Sequence, residues 1–395
     1  MRVLQICSKP PLPAVDGGCL ASYQLSKNLL TAGFDLTLMC LATEKHPYLP
    51  GEIDVNYSKE VRLEVVPVKT ALTPLGAMLN LFEFKSIQER RFYHREFSTK
   101  LIRIIGEKDF DFIVYDGLPT CVYEKDLRKI SKANMIYRSH NVEYSIFDQR
   151  KTHERTQFSK FYLSLQAARL MRFEMSKWNS MDAVLRISKH DIDHMIATGI
   201  KPGKTGVLPF GIEVSTSQFT PIKNSLFHLG AMDWEPNIQG LRWFVQEVWP
   251  LVHASHPDAE LHLGGKNIAR LKDDLTSEGI HIHEHVPDAL TFTRSYDILI
   301  VPVQVGSGTR IKILQAMAEG NVVVSTQKGL QGIEAEHEKN AMIANDAASF
   351  VTCLNRIFDD SSFKESLRLE AKKLIEKENK PEFLSRDLKN WMIQI

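Results

Sequence analysis

The segment Val305–Gly320, VGSGTRIKILQAMAEG, follows the strongly apolar run Ile298–Val303, ILIVPV. A short apolar run that ends at glycines predicts a buried strand. The pattern from Thr309 to Ala318 predicts a helix that begins directly after the glycine loop. A buried strand, a tight loop and a helix in this order are typical of α/β domains with a parallel sheet.

This loop and helix have the chemistry of an anion site. Glycines let the backbone approach a ligand closely, and the free N–H groups of a first helical turn favour phosphate. Arg310 and Lys312 add two cations to the loop that holds Gly308 and Thr309. An ordinary strand–turn–helix with solvated Arg and Lys side chains is the alternative. The sequence excludes a dinucleotide fingerprint, which needs glycine at Ile311, and a Walker A loop.

The same alternation of strands and helices continues through the chain on both sides of a break near Val207. Helical spacing of apolar residues predicts helices at Cys19–Ala32, Ser159–Trp178 and Asn237–Trp249. Short apolar runs predict strands at Val3–Ile6, Asp35–Leu41, Phe112–Tyr115, Asn134–Tyr137, Met181–Ile187, Leu226–Leu229, Ala259–Leu263 and Asn321–Ser325. The sequence therefore predicts two Rossmann-like domains, each with a parallel sheet.

The domain boundary is predicted from the segment that begins at Val207, VLPFGIEVSTSQFTPIKNS, which is rich in Pro, Ser and Thr. We assign residues 1–212 to an N-terminal domain and residues 213–376 to a C-terminal domain. Residues 377–395 end in the amphipathic stretch Pro381–Ile395, which either caps the second domain or crosses back to the first.

Composition excludes several classes of protein. The net charge of +1 gives no basis for nucleic-acid binding. The five cysteines are odd in number and lack C-x-x-C spacing, which argues against a disulfide framework or a zinc site and favours a reducing compartment. We find no signal peptide and no apolar run near the ~20 residues of a membrane span. We therefore expect a cytoplasmic protein.

One basic stretch, residues 85–108, is compatible with peripheral attachment to the inner face of the membrane. It holds seven Lys and Arg residues against three Glu, with Phe82, Phe84 and other aromatic residues alongside. A basic amphipathic helix of this kind can lie on anionic lipid. A solvated helix that covers the first domain is the alternative.

Several segments together resemble retaining GT-B glycosyltransferases of family 4. The segment GTRIKILQAMAEGNVVVST is similar to their donor-binding signature, and FHLGAMDWEPNIQGLRWFVQEVWP (Phe227–Pro250) is similar to the opening of their second domain. RSHNVEYSIFDQR (Arg138–Arg150), SIQERRFY (Ser86–Tyr93) and the pair Phe173-Glu174 also match. The resemblance implies a GT-B fold, with two Rossmann-like domains that face each other across a cleft.

The resemblance also implies a reaction and its residues. The reaction is transfer of a sugar from a nucleotide-sugar donor to a hydroxyl of a glycan or lipid-linked saccharide, with retention, in cell-surface polysaccharide biosynthesis. Arg310 and Lys312 would hold the diphosphate, and His140 would orient the donor sugar. Gly17 and Gly18 would close over the donor. Other donor contacts implied by the resemblance are Asn141, Gly230, Val286, Gly308, Thr309 and Gln315.

The sequence departs from the family at two positions. Two glutamates eight residues apart frame the loop and helix in the wider family, but Ser307 and Gln315 stand there in this chain. A Gln amide oxygen accepts a hydrogen bond from a ribose hydroxyl without the charge of a carboxylate. Two alternatives stay open: a nucleotide-sugar 2-epimerase on the same fold, and a degenerate binding protein without catalysis.

No cofactor and no metal ion are expected for the reaction. The resembling enzymes neutralise the leaving diphosphate with helix dipoles and basic side chains. His281, His283 and His285 alternate in the sequence, as residues on one face of a strand do. Without a set of partner residues, they predict a strand before the turn at Pro287 rather than a metal site.

Overall fold

The computed structural model describes residues 1–14, 16–52, 55–71, 73–147, 156–189, 192, 195–196, 204–306 and 308–395. The chain divides into two compact units. The first unit comprises Met1–Phe210 together with Pro381–Ile395, and the second comprises Gly211–Lys380.

In the first unit, seven described strands form one parallel sheet in the order β3-β2-β1-β4-β5-β6-β7. The central strands are buried along almost their whole length because helices cover both faces of a parallel sheet. The strands are β1 (Arg2–Cys7), β2 (Asp35–Ala42), β3 (Arg62–Pro67), β4 (Phe112–Asp116), β5 (Asn134–Ser139), β6 (Ala183–Arg186) and β7 (Lys204–Val207).

Two apolar clusters cover the two faces of this sheet. One includes Phe97 and Leu170, and the other includes Leu25 and Leu29. The helices that lie between these strands in the chain are α1 (Gly17–Thr31), α2 (Val55–Glu60), α3 (Pro74–Asn80), α4 (Ile87–Phe92), α5 (Arg95–Glu107), α6 (Glu124–Arg128) and α7 (Gln157–Ser180).

In the second unit, six described strands form a parallel sheet in the order β10-β9-β8-β11-β12-β13. The strands are β8 (Ile222–Leu229), β9 (Glu260–Gly264), β10 (Ile280–His283), β11 (Tyr296–Val301), β12 (Val322–Ser325) and β13 (Met342–Ile343). The helices are α8 (Glu235–Trp243), α9 (Trp249–Ser255), α10 (Lys272–Leu275), α11 (Ala289–Ser295), α12 (Ile311–Glu319), α13 (Ala347–Asp359) and α14 (Ser361–Glu378). The two α/β units confirm the predicted fold class.

The last helix, α15 (Pro381–Ile393), belongs to the first unit. Its Ser385 Oγ donates a hydrogen bond to Asn28 Oδ1 of α1 at 3.1 Å, and Trp391 Nε1 donates to the Thr205 carbonyl of β7 at 3.2 Å. Its apolar side chains join the cluster that also holds Leu25 and Leu29. From the sequence, this helix could either cap the second domain or cross back to the first. In the structure it belongs to the first unit.

The predicted helix Asn237–Trp249 is helical throughout in the structure, but it is not a single regular α-helix. The chain instead forms α8, a π-helical segment at Phe244–Val248, and α9. Pro250 has no N–H to continue the regular hydrogen-bond ladder, and its ring crowds the preceding turn, which explains the wider turn before it.

The sequence analysis also missed β3, β7 and β13. β3 is mostly half-exposed, and β7 and β13 have four and two residues at the edges of their sheets. Such strands lack the long apolar run that identifies a central strand. Among the described residues, no helix combines the length and the apolar character needed to cross a bilayer.

Candidate functional site

The glycine loop of the second unit leads from β11 into α12. Gly306 and Gly308 have φ values of 112° and 85°, a region that side chains with a Cβ avoid, so this loop requires glycine at both positions. Ser307, one of the two positions where the sequence departs from the family pattern, lies outside the described residues. The loop delivers Arg310 to the N-terminus of α12 and Lys312 to its first turn.

Arg310 is almost fully buried. Its guanidinium carbon lies 5.0 Å from the centroid of the Trp234 ring, and its Nη1 donates to the Gly308 carbonyl. Burial lowers the pKa of this arginine to about 10, which still leaves it charged at neutral pH. The loop thus holds a rigid, desolvated cation at the start of a helix.

Lys312 is held by two side chains that the sequence analysis missed. Its Nζ lies 3.0 Å from His228 Nε2 and 3.3 Å from Asn237 Oδ1. Burial, followed by repulsion from Arg310, lowers the pKa of Lys312 to about 7. This ammonium is therefore easily deprotonated until an anion stabilises its charge.

His228 lies near the end of β8, and its other ring nitrogen fixes its orientation. Nδ1 lies 2.9 Å from the Ile300 carbonyl of the neighbouring strand. Burial, together with the Lys312 charge, holds the pKa of His228 well below its usual value. The ring is thus neutral at pH 7, and Nδ1–H donates to Ile300 while Nε2 accepts from Lys312.

A third cation, Lys328, follows β12. Burial and the charge of Arg310 both lower its pKa. Burial alone lowers the pKa of Arg310, whereas burial and the charge of Arg310 together lower those of Lys312 and Lys328. Among the described residues, no carboxylate contacts Lys312, so an external anion would balance the charge of its ammonium. The position of Lys328 at the carboxyl end of a parallel strand is the signal that sequence reasoning overlooked.

Gly230 lies in the loop beside Lys312, and Val286 lies beside Gly264. A Cβ on Gly230 would lie 2.8 Å from Asn237 Nδ2 and 3.1 Å from Lys312 Nζ, so glycine leaves room for the lysine. A Cβ on Gly264 would lie 2.9 Å from Val286 Cγ2. In the structure, Gly230 therefore lies beside Lys312, and Val286 lies beside Gly264, the last residue of β9.

Gln315 is on α12, one turn after Lys312. Its Nε2 donates to Glu319 Oε1 at 3.1 Å, and Glu319 Oε2 accepts from Arg294 Nε at 2.6 Å. A buried glutamate thus holds the amide of Gln315 by its nitrogen, which orients the side chain and leaves its oxygen as the end suited to a hydroxyl donor. The contact of Gln315 with a ribose stays a prediction.

In the first unit, His140 follows β5 and pairs with a carboxylate. Its Nε2 lies 2.5 Å from Asp116 Oδ1, at the end of β4. Gln5 Nε2 donates to Asp116 Oδ2 at 2.9 Å, and Arg138 Nη1 lies 3.9 Å from Oδ1. Burial alone would raise the pKa of Asp116, but His140 and Arg138 outweigh it and lower the pKa. An ionised Asp116, which the sequence analysis did not assign to the site, therefore orients His140.

The segment after His140 is fixed by a buried glutamate of α7. Glu174 accepts hydrogen bonds from the backbone amides of Glu143 and Tyr144, both at 3.2 Å. Burial, followed by the nearby Glu143, raises the pKa of Glu174 to about 8. The Asn141 carbonyl accepts from Ser139 Oγ at 2.9 Å. The polypeptide that carries His140 and Asn141 is thus held on both sides.

Gly17 and Gly18 are the first two residues of α1. Asp16 caps this helix, since its Oδ1 accepts from the Cys19 amide at 2.8 Å. Lys9 Nζ lies 2.6 Å from the same oxygen, and a Cβ on Gly18 would lie 2.8 Å from Lys9 Nζ. Gly18 therefore makes space for an ion pair, and the proposed closure over a donor is a separate role that stays a prediction.

Comparison with known proteins identifies the second unit. Residues 223–360 match the family model described as glycosyl transferases group 1. The chain is also 24% identical over 366 residues to a 44.6 kDa protein in the cps region of Klebsiella pneumoniae. This alignment covers 88% of this chain and 89% of that protein.

Three solved structures share the whole architecture. Sucrose-phosphate synthase from Thermosynechococcus elongatus has a TM-score of 0.72 at 14% identity, with 100% of this chain and 99% of that chain covered. HepE from Anabaena, in complex with UDP-glucose, has a TM-score of 0.67 at 12% identity and full coverage of both chains, 100% each. TarM from S. aureus, in a complex with UDP, has a TM-score of 0.67 at 9% identity, with 99% of this chain and 100% of that chain covered. The chain therefore carries a group 1 glycosyltransferase domain, at residues 223–360, on a GT-B fold.

Proposed function

We propose that this chain is a retaining glycosyltransferase of family 4 that transfers a sugar from UDP-sugar to a hydroxyl acceptor. The observation that carries the proposal is the buried pair of cations at the start of α12, where Lys312 lies close enough to Arg310 for that charge to lower its pKa and contacts only His228 and Asn237 among the described residues. A nucleoside diphosphate supplies two phosphates to balance such a group. The choice of UDP is supported by the UDP complexes of HepE and TarM.

The residues then have distinct tasks in the proposed reaction. Arg310 and Lys312 stabilise the negative charge that develops on the leaving diphosphate, as preorganised cations do in sites shielded from water. His140, oriented by Asp116, positions the donor sugar, and Gln315 accepts a hydrogen bond from the ribose. The first N–H groups of α12 add to the positive potential, so the proposed reaction draws its positive charge from the chain itself.

We place the reaction in cell-surface polysaccharide biosynthesis, with a glycan or a lipid-linked saccharide as acceptor. The support is the relative in the cps region of Klebsiella pneumoniae. All five cysteines are free and buried, in agreement with the proposed reducing cytoplasm.

In the first unit, two exposed aromatic residues favour contact with a membrane more than the basic residues around them do. Arg90 pairs with Glu83 at 2.8 Å and Lys100 with Glu64 at 2.9 Å, so acids neutralise part of the basic stretch. Phe82 and Phe84 are 85% and 91% exposed. We therefore propose that these two phenylalanines insert into an anionic bilayer. Co-sedimentation with vesicles that contain phosphatidylglycerol should fall in a Phe82→Ser, Phe84→Ser double variant, and equal sedimentation would contradict this contact.

Calorimetric titration with UDP tests the central proposal. Wild-type protein should bind UDP, and Arg310→Ala should weaken binding by about 10- to 100-fold, the range expected for loss of a charged hydrogen bond. Lys373→Ala is the matched control, since Lys373 is an exposed lysine of the same unit, 70% exposed and paired with Glu370. It should bind UDP as the wild type does. No UDP binding by the wild type would refute the proposal.

The non-catalytic alternative is favoured by the two departures from the family pattern, because Ser307 and Gln315 stand where glutamates are expected. Slow hydrolysis of UDP-sugars by the wild-type protein separates the candidates. Release of free sugar from one donor of a panel supports the transferase. Formation of the 2-epimer from UDP-GlcNAc would favour an epimerase, and binding without any turnover would favour a binding protein.

A further inference from the structure

Strands β9 and β10 place three histidines and a glutamate on one face of the second sheet. The register pairs His281 of β10 directly with His262 of β9. Glu260 lies two residues before His262, and His283 lies two residues after His281, so all four side chains point to the same face. The alternating histidines that had no partner set in the sequence thus have one in the neighbouring strand.

The distances among three of these residues fit a metal ion. His262 Nε2 lies 3.3 Å from Glu260 Oε2, and His281 Nε2 lies 3.6 Å from Glu260 Oε1. One ligand atom from each of the three residues lies within 4.8 Å of the others. Zn–N and Zn–O bonds of ~2.0–2.1 Å in tetrahedral geometry separate ligand atoms by ~3.3 Å. We propose that Glu260, His262 and His281 bind a divalent transition-metal ion, for which Zn²⁺ is the best fit.

The surroundings of His262 match those of a metal ligand. Its Nδ1 lies 3.1 Å from His283 Nε2, and the Tyr296 hydroxyl lies 3.3 Å from the same nitrogen. Metal-bound histidines commonly donate their second ring N–H to such a partner, which leaves Nε2 free to bind the metal. The ring of Tyr296 stacks on His262 with 4.0 Å between the centroids and fixes its plane.

Access to the site is asymmetric. His262 is buried, whereas the side chains of Glu260 and His281 are 45% and 49% exposed. An ion can therefore enter from solvent, and water can complete its coordination. Since β10 is at the edge of the sheet, the ion would fasten this edge strand to β9. The proposal is independent of sugar transfer.

A second group of possible ligands in the described residues, Asp16, Cys19 and His46, does not support the same proposal. Lys9 Nζ lies 2.6 Å from Asp16 Oδ1 and 2.7 Å from Oδ2. An ammonium thus occupies the position in which a metal ion would bind this carboxylate. The described contacts of Glu260, His262 and His281 include no lysine or arginine.

Titration of the chelator-treated full chain with ZnCl2 tests the proposal. We expect one Zn²⁺ per chain. His281→Ala and Glu260→Gln should each weaken binding by more than ~10-fold, and His283→Ala by ~10-fold, because loss of an outer partner costs about that much. His285→Ala is the matched control, an exposed histidine two residues beyond His283. It should bind within about twofold of the wild type.

A second readout uses Co²⁺ in place of Zn²⁺. The visible absorption of tetrahedral Co²⁺ should appear in the wild type and in His285→Ala, and disappear in His281→Ala. The site would be refuted by wild-type protein that binds no Zn²⁺. It would also be refuted if His285→Ala weakened binding as much as His281→Ala, since the ion would then lie on ordinary surface histidines.

Discussion

Each unit places a histidine at the carboxyl ends of its parallel strands, but the charges around the two histidines are opposite. In the first unit, His140 Nε2 lies 2.5 Å from Oδ1 of the ionised Asp116, and Arg138 Nη1 lies 3.9 Å from the same oxygen. In the second unit, His228 Nε2 lies 3.0 Å from Lys312, whose pKa is lowered by the charge of Arg310. The first group is balanced within the chain, whereas the second is unbalanced, since Lys312 has no carboxylate partner among the described residues.

This difference indicates that the second unit, rather than the first, is suited to bind an anion. A buried carboxylate that is paired and hydrogen-bonded keeps its charge and fixes the orientation of its partners. Buried cations that repel each other lower one another's pKa and gain most when an anion arrives. We infer that Asp116 has a positioning task, whereas Lys312 binds the leaving group.

The largest expected effect comes from removal of the carboxylate in the balanced group. Asp116→Ala would leave Arg138 buried without its charge partner, and we expect the free energy of unfolding to fall by about 3–5 kcal/mol in urea denaturation. Asp274→Ala is the control, because Asp274 pairs with Arg242 at 2.6 Å on the surface. Its effect should stay below about 1 kcal/mol. Equal losses of unfolding free energy in the two variants would show that the buried carboxylate of Asp116 is no more important to the fold than a surface one.

The next effect is a pH dependence of UDP binding that belongs to the unbalanced group. The pKa of Lys312 is about 7 in the free protein, so its ammonium is present below pH 7 and lost above it. Because the diphosphate binds the charged form, wild-type affinity should fall by up to about tenfold for each pH unit above 7. Lys312→Arg keeps its charge and should have a flat profile between about pH 7 and 9. Parallel profiles from calorimetry would contradict this assignment.

A smaller effect tests how tightly the unbalanced group is packed. Gly230→Ala would place a methyl group 3.1 Å from Lys312 Nζ and 2.8 Å from Asn237 Nδ2. Displacement of the ammonium should weaken UDP binding by about tenfold, as expected when a charged hydrogen bond is lost. Gly51→Ala is the control, since nothing lies within 4 Å of its added carbon. Unchanged affinity in Gly230→Ala would mean that Lys312 tolerates movement.

The smallest effect concerns the position where a glutamate was expected. Gln315→Glu should leave the fold unchanged and lower UDP affinity by about threefold to fivefold, because the new carboxylate loses the hydrogen bond to Glu319 Oε1 and is repelled from the orientation that faces the ribose. Pyrophosphate has no ribose, so its affinity should not fall in this variant. If UDP affinity is the same in both proteins, residue 315 does not contact the ribose.

The sequence predicts the central part of both sheets because those strands are continuously apolar. Phe112–Tyr115 and Ile298–Val303 are runs of this kind, and both are strands within two residues of the predicted bounds. The edge strands β3, β7 and β13 are short or half-exposed, so their sequences resemble loops. The π-helical segment before Pro250 depends on how a helix accommodates a missing N–H, which apolar spacing does not reveal.

The candidate site is predictable only where its residues are close in sequence. Arg310 and Lys312 follow the glycine loop directly, so their chemistry can be inferred from one segment. His228 and Lys312 are 84 residues apart, and His140 and Asp116 are 24 apart. Their contacts follow from the pairing of β8 with β11 and of β4 with β5, which a single sequence does not specify.

The place of α15 in the first unit has a consequence for how the protein is synthesised. Leu384, Leu388 and Met392 complete an apolar cluster of that unit, yet the ribosome makes them after every residue of the second unit. The second unit is one uninterrupted stretch and can fold while synthesis continues. The earlier-made unit must wait with part of its core uncovered, which reverses the usual order in which domains finish folding during translation. Chaperones that shield nascent chains should therefore engage the first unit for longest.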